Sequence, residues 1–571
     1  MIALLGRAAF HILYRDKKKN IAEFLRTTTP DSLLSDLHSC LVREGISFIT
    51  PQAVFYASSI RDSPQEQPYW TKRSFQNHLA RTHPDTTIPD TAINVLWSCF
   101  CFYAYHPFPL HDASEKKLDL PAFERGLVLL SLQGTRRFGT VEDDFGHCWG
   151  RIEEPCSCRL RINRVFRSIS LVNHQSGSDP QVAGFDTFVI DDVIDAIFPI
   201  FPSHPKLHPS LDQLTPLAER LLERRTNQYQ MKVNDFAALL CLIMRLRVHK
   251  PTWGRDFHYG SFGDSSLEKE ELANMLARSF CHGQDEYLAP DLVLRALDIL
   301  PNLEQWFHQL WATLFQPSMF TEIPNSETES SADTTMIGIL RAVSLFIPPF
   351  QAHKRSELAR KVKLISFQKC YDSISSQSLI DSLDLCHILQ QTFHKNPNCQ
   401  SHLALLIGHQ AQDSKKVVVG AYFPNCTQAP AAKEGKTPER MGKSRIASPL
   451  LLFQLQPSFS LFRWNGEGSI SSSQANDSAT DLTNHPNCIG DPTQSKVGIE
   501  IDPVTGQATF LQGIAITPNR MSGVYEEITT SRRHDGPETI IEDQQEQRTT
   551  FTVTRIAIFN VEGGPSYDYT R

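Results

Sequence analysis

The chain has 571 residues, of which 40% are hydrophobic and 21% are charged, and these values are ordinary for a soluble globular protein. Its length exceeds what one compact core usually contains, so more than one folded unit is expected. The formal net charge of -7 gives no overall attraction to nucleic acid or to anionic lipid, and it argues against direct nucleic-acid binding.

The first segment does not have the pattern of a targeting signal. An apolar stretch near the N-terminus is interrupted by Arg7 and His11 and lacks a small-residue cleavage site. The thirteen cysteines are scattered, without the regular spacing of a disulfide scaffold. We therefore expect reduced thiols in a cytoplasmic protein. The most apolar run, residues 95–105, is about half as long as a bilayer crossing requires, so it predicts a buried helix and no transmembrane segment.

Residues 1–321 show helical periodicity and are predicted to form an all-α domain. Ser265 and Glu268 are predicted to form a capping box for one helix. After Pro301 and Asn302, which supply another helix start, apolar residues recur at three- and four-residue steps: Leu303, Trp306, Phe307, Leu310 and Leu314. Further amphipathic helices are predicted at residues 32–42, 122–132, 185–198, 214–222 and 236–246.

Two of the predicted helices, residues 268–280 and 290–300, flank a short loop in the layout of an EF-hand. Calcium needs oxygen ligands at alternating loop positions and a final bidentate Glu. The loop offers only Asp285, Glu286 and Asp291, at unsuitable spacings. An EF-hand-like helix pair without calcium ligands is therefore expected.

A polar tract at residues 322–335 contains almost nothing to bury and is the predicted linker between two domains. Beyond it, helices are predicted at 337–346 and 378–391. Five β-type segments follow, beginning at Leu403, Val417, Leu450, Lys496 and Phe551. Long polar insertions separate them, at 425–448, 468–486 and 519–548. The predicted fold class is α+β, with a sheet domain at 336–565 and a tail at 566–571.

The last β-type segment is apolar on both faces. Simple alternation places Ile556 and Ile558 on one face. It places five residues on the other face: Phe551, Val553, Ala557, Phe559 and Val561. A strand with two apolar faces is expected in the middle of a two-layer sandwich.

Two GK[ST] tripeptides, at residues 435–437 and 442–444, raise the question of nucleotide binding. A P-loop also needs a glycine five residues before the second one, and those positions hold Pro430 and Thr437. A solvated basic loop is therefore favoured. Four other residues could supply zinc ligands: His147, Cys148, Cys156 and Cys158. Their spacing does not match C-x-x-C knuckles, so ordinary cysteine thiols without zinc are favoured.

The common hydrolase, metalloprotease and dinucleotide motifs are missing from the sequence, and we predict no catalytic, cofactor-binding or metal-binding residues. Four carboxylates could converge in space, although surface carboxylates are more often solvated than catalytic: Glu500, Asp502, Glu526 and Glu527. Four cysteines lie in apolar helical segments, where a low thiol pKa and access of oxidants to the sulfur are both disfavoured: Cys99, Cys101, Cys241 and Cys386.

An ordered set of short motifs runs through the C-terminal segments. Its members are Leu405 to Gly408, Gly420-Ala421-Tyr422, Phe453-Gln454-Leu455 with Pro457, Phe462 to Gly466, Ile489-Gly490, Gly498 to Asp502 with Thr509-Phe510, and Arg555 to Gly563. Together they resemble a TLDc domain, over about two fifths of the chain. The closing strand departs from that pattern, because it lacks the acidic residue and the Trp that relatives often show.

With a helical region before the sheet, the layout resembles that of the fungal restriction of telomere capping proteins, and residues 123–140 and 208–222 look like their helical part. The resemblance implies a non-enzymatic cytoplasmic protein that binds the soluble sector of the vacuolar proton-translocating ATPase and promotes its separation, at the vacuole membrane. The influence on telomere capping would then be indirect. Some members begin Met-Gly, the start that myristoylation requires, whereas this chain begins Met1-Ile2, so that anchor is not expected.

Two other functions stay open on the sequence alone. Protection from oxidants is attributed to some TLDc proteins, and it would act here directly through thiols or carboxylates. DNA-end binding would require a strongly basic face and would be sensitive to salt.

Overall fold

The computed structural model describes residues 15, 19–44, 50–108, 113, 115–131, 134, 137–142, 148–150, 154–173, 186–200, 208–222, 228–253, 257–280, 287–288, 299–317, 334–348, 363–373, 385–395, 401–411, 413–424, 449–464, 488–491, 497–513, 525–529 and 547–564. In this part of the chain, helices dominate the N-terminal half and one large antiparallel sheet dominates the C-terminal part. The predicted α+β class is confirmed.

The helices are α1 Pro30–Glu44, α2 Pro51–Ser58, α3 Lys72–Thr82, α4 Asp90–Tyr105, α5 Leu120–Leu129, α6 Glu154–Ser168, α7 Asp186–Ile197, α8 Leu211–Leu221, α9 Val233–Arg245, α10 Leu267–Arg278, α11 Leu303–Leu314, α12 Thr334–Phe346 and α13 Leu385–Lys395. A 3-10 turn, Phe198–Ile200, follows α7. The helices predicted within residues 32–346 at α1, α4, α5, α7, α8, α9, α10, α11 and α12 are confirmed, with ends that differ by a few residues. The helix predicted at 378–391 is confirmed from Leu385 onward, and its earlier part lies outside the described residues.

The strands are β1 Thr140–Glu142, β2 Cys148–Gly150, β3 Leu171–Asn173, β4 Gln228–Lys232, β5 Leu246–Trp253, β6 Phe257–Phe262, β7 Tyr287–Leu288, β8 Lys363–Asp372, β9 Ser401–His409, β10 Lys416–Pro424, β11 Leu451–Gln456, β12 Ser460–Trp464, β13 Cys488–Asp491, β14 Val497–Ile501, β15 Gln507–Gln512, β16 Tyr525–Glu527 and β17 Gln547–Gly564. Each of the five predicted β-type segments forms one or two of these strands.

The prediction of an all-α N-terminal half is wrong, because seven strands in its described part form three small antiparallel sheets among its helices. The β5–β6 hairpin shows the physical reason. Helix α9 ends at Arg245, whose backbone carbonyl accepts at 2.8 Å from the N–H of Gly263, a donor outside the helix. The chain turns extended instead, and Leu246 pairs with Phe262.

The predicted EF-hand loop is only partly described. Helix α10 stands where its first helix was expected, and Tyr287–Leu288 within the loop pairs with Met231 and Lys232 of β4. The three acidic residues of the loop and most of the second helix lie outside the described residues. The cap of α10 is Ser266, whose side chain accepts from the Lys269 N–H, so the predicted capping box at Ser265 and Glu268 is wrong.

In the large sheet the strand order is β13-β14-β15-β17-β9-β10-β11-β12-β16, and β8 adds beside β17. Strand β17 is 18 residues long, so it pairs with β15 through its first part, with β8 through its last part, and with β9 along the opposite edge. Strand β16 falls within residues 519–548, which were predicted to be a polar insertion. Its three residues pair with β12.

The sheet has an apolar core on each face. One core, with Leu406, Val419 and Phe510, lies inside the sheet domain and also contains Leu385 and Leu389 of α13. The two ends of the sheet meet across this core, because the rings of Phe462 in β12 and Phe510 in β15 lie 6.0 Å apart. The opposite face, with Leu405 and Phe453, joins the core of the N-terminal helices as one cluster.

A β-bulge in β17 changes which residues share a face. The pairing with β9 shifts by one residue between Val553 and Arg555, so Thr554 is extra. Phe551 and Val553 therefore join Ile556 and Ile558 in the sandwich core, whereas the other face holds Ala557, Phe559 and Val561. The predicted face assignment is wrong for Phe551 and Val553.

No helix in the described part of the chain is long and apolar enough to cross a membrane.

Candidate functional site

The tip of the β14–β15 hairpin exposes an apolar side chain on a rigid turn. Asp502 fixes the turn, because its carboxylate accepts from the Val504 N–H at 2.9 Å and from the Thr505 hydroxyl at 2.7 Å. Gly506 closes the turn with φ of +68°, a backbone conformation that suits glycine. Val504 consequently lies at the tip with 90% of its surface exposed.

The four carboxylates that the sequence left open as an acid–base group serve different roles. The Thr505 hydroxyl and the Val504 N–H hold the pKa of Asp502 below its ordinary value. Glu500 lies opposite Thr509 in the β14–β15 pairing, whereas Glu526 and Glu527 lie opposite Arg463 and Phe462 in the β12–β16 pairing. Within its own segment, Glu527 accepts from the Thr529 hydroxyl at 2.9 Å. These positions favour turn-forming and solvated carboxylates over an acid–base pair.

The predicted environment of the helical thiols is confirmed for three of them. Cys99 is fully buried in α4, and burial raises the pKa of its thiol to about 12. Burial also raises the pKa of Cys101 and of Cys241. A thiol whose pKa is raised carries little thiolate at neutral pH and reacts slowly with oxidants. The side chain of Cys386 lies outside the described residues.

A buried charge cluster joins α6 to α7. Arg164 donates to Asp192 and to Asp195, both at 2.8 Å, and Arg167 also binds Asp192. Burial alone would raise the pKa of Asp192, but the two guanidiniums outweigh it and hold that pKa below the ordinary value. Burial lowers the pKa of the nearby His106 to about 3, so this ring is neutral.

The geometry of the cluster indicates a structural role. His106 Nδ1 lies 3.9 Å from Asp192 Oδ2, a spacing that invites comparison with a catalytic His–Asp pair. Both side chains are only 1% exposed, so no substrate can reach them in this arrangement. Removal of one partner would leave an uncompensated buried charge, which costs about 3–5 kcal/mol.

The helices and the sheet meet along a seam formed by α10, α11, α12 and β10–β11. Glu268 of α10 binds two partners there: the Lys416 ammonium of β10, and the Thr335 hydroxyl of α12 at 2.7 Å. Phe346 at the end of α12 packs its ring against Phe453 of β11 at 4.9 Å. Helix α12, predicted as the start of the sheet domain, therefore contacts both halves.

Asn302 connects α11 to the end of α12. Its side-chain amide donates to the carbonyls of Ser344 at 2.9 Å and of Ile347 at 2.6 Å, and it is completely buried. These carbonyls belong to the last turn of α12, where intrahelical donors are lacking. Asn302 thus caps a neighbouring helix and makes no side-chain cap on its own.

The residues considered for phosphate and zinc binding lie largely outside the described part of the chain. Both GK[ST] tripeptides lie outside the described residues, as do His147 and the side chains of Cys148, Cys156 and Cys158. Within the described ranges, no group of three or more His, Cys, Asp or Glu side chains could hold a metal ion.

The comparisons with known proteins found no matching family model, curated protein or solved structure. The TLDc resemblance therefore stays a prediction from the sequence motifs. The structural observations that bear on function are the covered face of the sheet, the buried thiols and the exposed hairpin tip. The exposed hairpin tip was not predicted from the sequence. An apolar Val504 between Pro503 and Thr505 in a turn was a signal that could have indicated it.

Proposed function

We propose that the chain is a non-enzymatic TLDc protein of the restriction of telomere capping type, which binds the soluble sector of the vacuolar proton-translocating ATPase and promotes its separation from the membrane. It would act in the cytoplasm and peripherally at the vacuole membrane. Any effect on telomere capping would be indirect.

One observation carries the proposal. The motifs that resemble a TLDc domain form consecutive antiparallel strands, with β9 paired to β10, β10 to β11 and β11 to β12. An ordered motif set that produced unconnected segments would have weakened the resemblance. The motif residues themselves are largely core residues and turn glycines, so they support the fold and leave binding to the surface between them.

The hairpin tip is the part of this surface that best suits a protein partner. Both faces of the central strands are covered by apolar cores, so a partner of the described sheet contacts its edges or turns. The Asp502 turn fixes the backbone at Val504, and a preorganised turn loses little conformational entropy on binding. Burial of one Val side chain contributes about 1.5–3 kcal/mol.

The observations on the helical thiols support this proposal over direct oxidant chemistry. Cys99 and Cys101 are buried, and burial raises the pKa of both thiols. Cys370 and Cys488 are partly exposed, and their replacement by Ser provides the direct comparison. If resistance to peroxide survives both replacements, the partly exposed thiols Cys370 and Cys488 are not its source.

The experiment adds the purified full chain to vacuolar membrane vesicles that carry the assembled pump. After sedimentation, we expect the soluble sector in the supernatant and a matching loss of proton pumping. Val504→Ser should require about tenfold more protein for the same release, because it removes apolar contact area. Leu267→Ser is the matched control, since Leu267 is also exposed but lies on a helix of the other half.

Two results would contradict the proposal at different levels. If the full chain neither binds these vesicles nor releases the soluble sector, the partner assignment is wrong. If release occurs but Val504→Ser and Leu267→Ser behave alike, the partner is right and the assigned contact surface is wrong.

A further inference from the structure

A groove between the end of α2 and the exposed side of α3 has the character of an anion site. It has a volume of about 540 Å³, within the range of small-molecule sites. Its described lining residues include no acidic side chain: Ala57, Ser58, Ser59, Ile60, Arg73, Asn77 and Arg81.

Three of the lining residues form one polar row on α3. Arg73, Asn77 and Arg81 are spaced four residues apart, so their side chains project from the same side of the helix. The two arginine Cα atoms are about 12 Å apart at 1.5 Å per residue. Both long side chains can therefore reach a group placed above Asn77.

The nearest acidic residue along the chain from the groove is already neutralised. Asp62 follows the groove segment by two residues and is bound by the Lys117 ammonium at 2.6 Å and by the Tyr69 hydroxyl. Arg73 and Arg81 make no ion pair within the described residues. Their charge thus faces the groove without a carboxylate partner.

A buried histidine holds Arg81 in place. His78 Nε2 lies 3.0 Å from the Leu314 carbonyl, which can only accept, so this nitrogen carries the proton. Burial lowers the pKa of His78 to about 4, so the ring is neutral and Nδ1 is free to accept. Arg81 Nη2 donates to this Nδ1 at 3.4 Å. The guanidinium is therefore oriented before any ligand arrives.

The opposite wall contributes a buried hydroxyl. Ser58 is 8% exposed and lines the groove, and its Oγ has no hydrogen-bond partner among the described residues. A buried hydroxyl without a partner is destabilising, so such groups usually serve a bound water, ion or ligand. Its position in the wall of a basic groove favours a ligand that accepts hydrogen bonds.

We propose that this groove binds the phosphate group of a soluble phosphate ester, with Arg73 and Arg81 as the charged donors and with Asn77 and Ser58 as neutral donors. Arginine suits this ligand because its planar guanidinium donates two parallel hydrogen bonds to one phosphate. The site is independent of the hairpin tip, which lies in the other half of the chain, and it does not rest on the function proposed above.

The test titrates the full chain with inorganic phosphate and with glycerol phosphate at constant ionic strength, by calorimetry. Saturable binding of one phosphate per chain is expected. Arg73→Gln and Arg81→Gln should each raise the dissociation constant at least tenfold, and Ser58→Ala should raise it severalfold. Lys72→Gln is the matched control, because it removes one positive charge from the same helix outside the groove.

Parallel titrations measure binding of the full chain to phosphatidylcholine vesicles with and without phosphatidic acid. Circular dichroism of each variant checks that α3 stays folded, and both arginines are exposed, so their replacement should not disturb the core. The proposal is overturned if soluble phosphate does not saturate, if Lys72→Gln weakens binding as much as the arginine variants, or if binding occurs on phosphatidic acid vesicles alone.

Discussion

The buried His78 makes a quantitative prediction about acid stability. Its pKa is lowered to about 4, chiefly by burial and further by the charges of Arg81 and His83, while the hydrogen bond to the Leu314 carbonyl opposes the shift. In the unfolded chain the pKa returns to its ordinary value of 6.5. Below pH 6.5 the unfolded state therefore binds a proton that the native state does not, and stability falls as the pH falls.

The magnitude follows from the size of the shift. The difference between 6.5 and about 4 corresponds to about 3 kcal/mol, at 1.36 kcal/mol per pKa unit. This contribution is fully present above pH 6.5 and is lost between pH 6.5 and pH 4. His78→Gln removes the titration while an amide N–H can still donate to the Leu314 carbonyl, so it isolates the protonation effect.

The assay is urea unfolding of both proteins, followed by tryptophan fluorescence at a series of pH values. Near pH 5 the stability of the wild-type chain should fall more steeply than that of the variant, by about 1.4 kcal/mol per pH unit, which is one proton. The variant should be less stable at pH 7, because the His78 ring stacks on Phe315 at 4.7 Å. Parallel pH profiles for the two proteins would refute the reasoning.

Two further predictions concern the sheet and the seam. Gly420→Ala should lower the free energy of unfolding by about 1–3 kcal/mol, because a Cβ there would lie 2.3 Å from Phe453 Cζ and 2.9 Å from the Ala404 carbonyl. Urea denaturation monitored by circular dichroism measures this, and a loss below about 0.5 kcal/mol would contradict it. A double-mutant cycle with Glu268→Gln and Lys416→Met should give a coupling energy of about 0.5 kcal/mol that decreases as salt is added. A coupling energy that is insensitive to salt would show that the two side chains do not act as an ion pair.

The sequence was sufficient for elements whose own residues carry a strong pattern. The five β-type segments are apolar and bounded by turn residues, and they form strands β9 to β12, β14 and β17 of the sheet. Helix α4 was recognisable because its apolar run is too short for a bilayer and too long for an ordinary strand. In both cases the local pattern and the tertiary contacts favour the same structure.

The errors arise where a distant contact decides the local structure. The bulge at Thr554 depends on the register between β17 and β9, which single-strand alternation cannot show. Helix α11 has an amphipathic pattern but is buried along its whole length, since polar residues such as Gln309 find partners in neighbouring elements. Asn302 stands at the start of α11 as predicted, but its side chain caps the end of α12. Partners of this kind lie tens of residues away in the sequence.

The candidate sites were only partly visible in the sequence for a related reason. The four-residue spacing of Arg73, Asn77 and Arg81 could have indicated one polar row on a helix. Nothing in the sequence places Ser58 opposite that row or shows that His78 is neutral. Both facts depend on how α2, α3 and the end of α11 pack together.

The covered face of the sheet determines how the proposed function can be tested. Leu405, Phe453 and Phe559 belong to the same apolar cluster as the N-terminal helices, and Phe346 of α12 packs directly on Phe453. A fragment that begins after α12 would expose this face to water, at a cost of about 25 cal/mol for each Å² of apolar surface. Binding by such a fragment would then report a newly exposed apolar surface as well as the native contact. The full chain with Val504→Ser separates the two, because that substitution leaves the covered face unchanged.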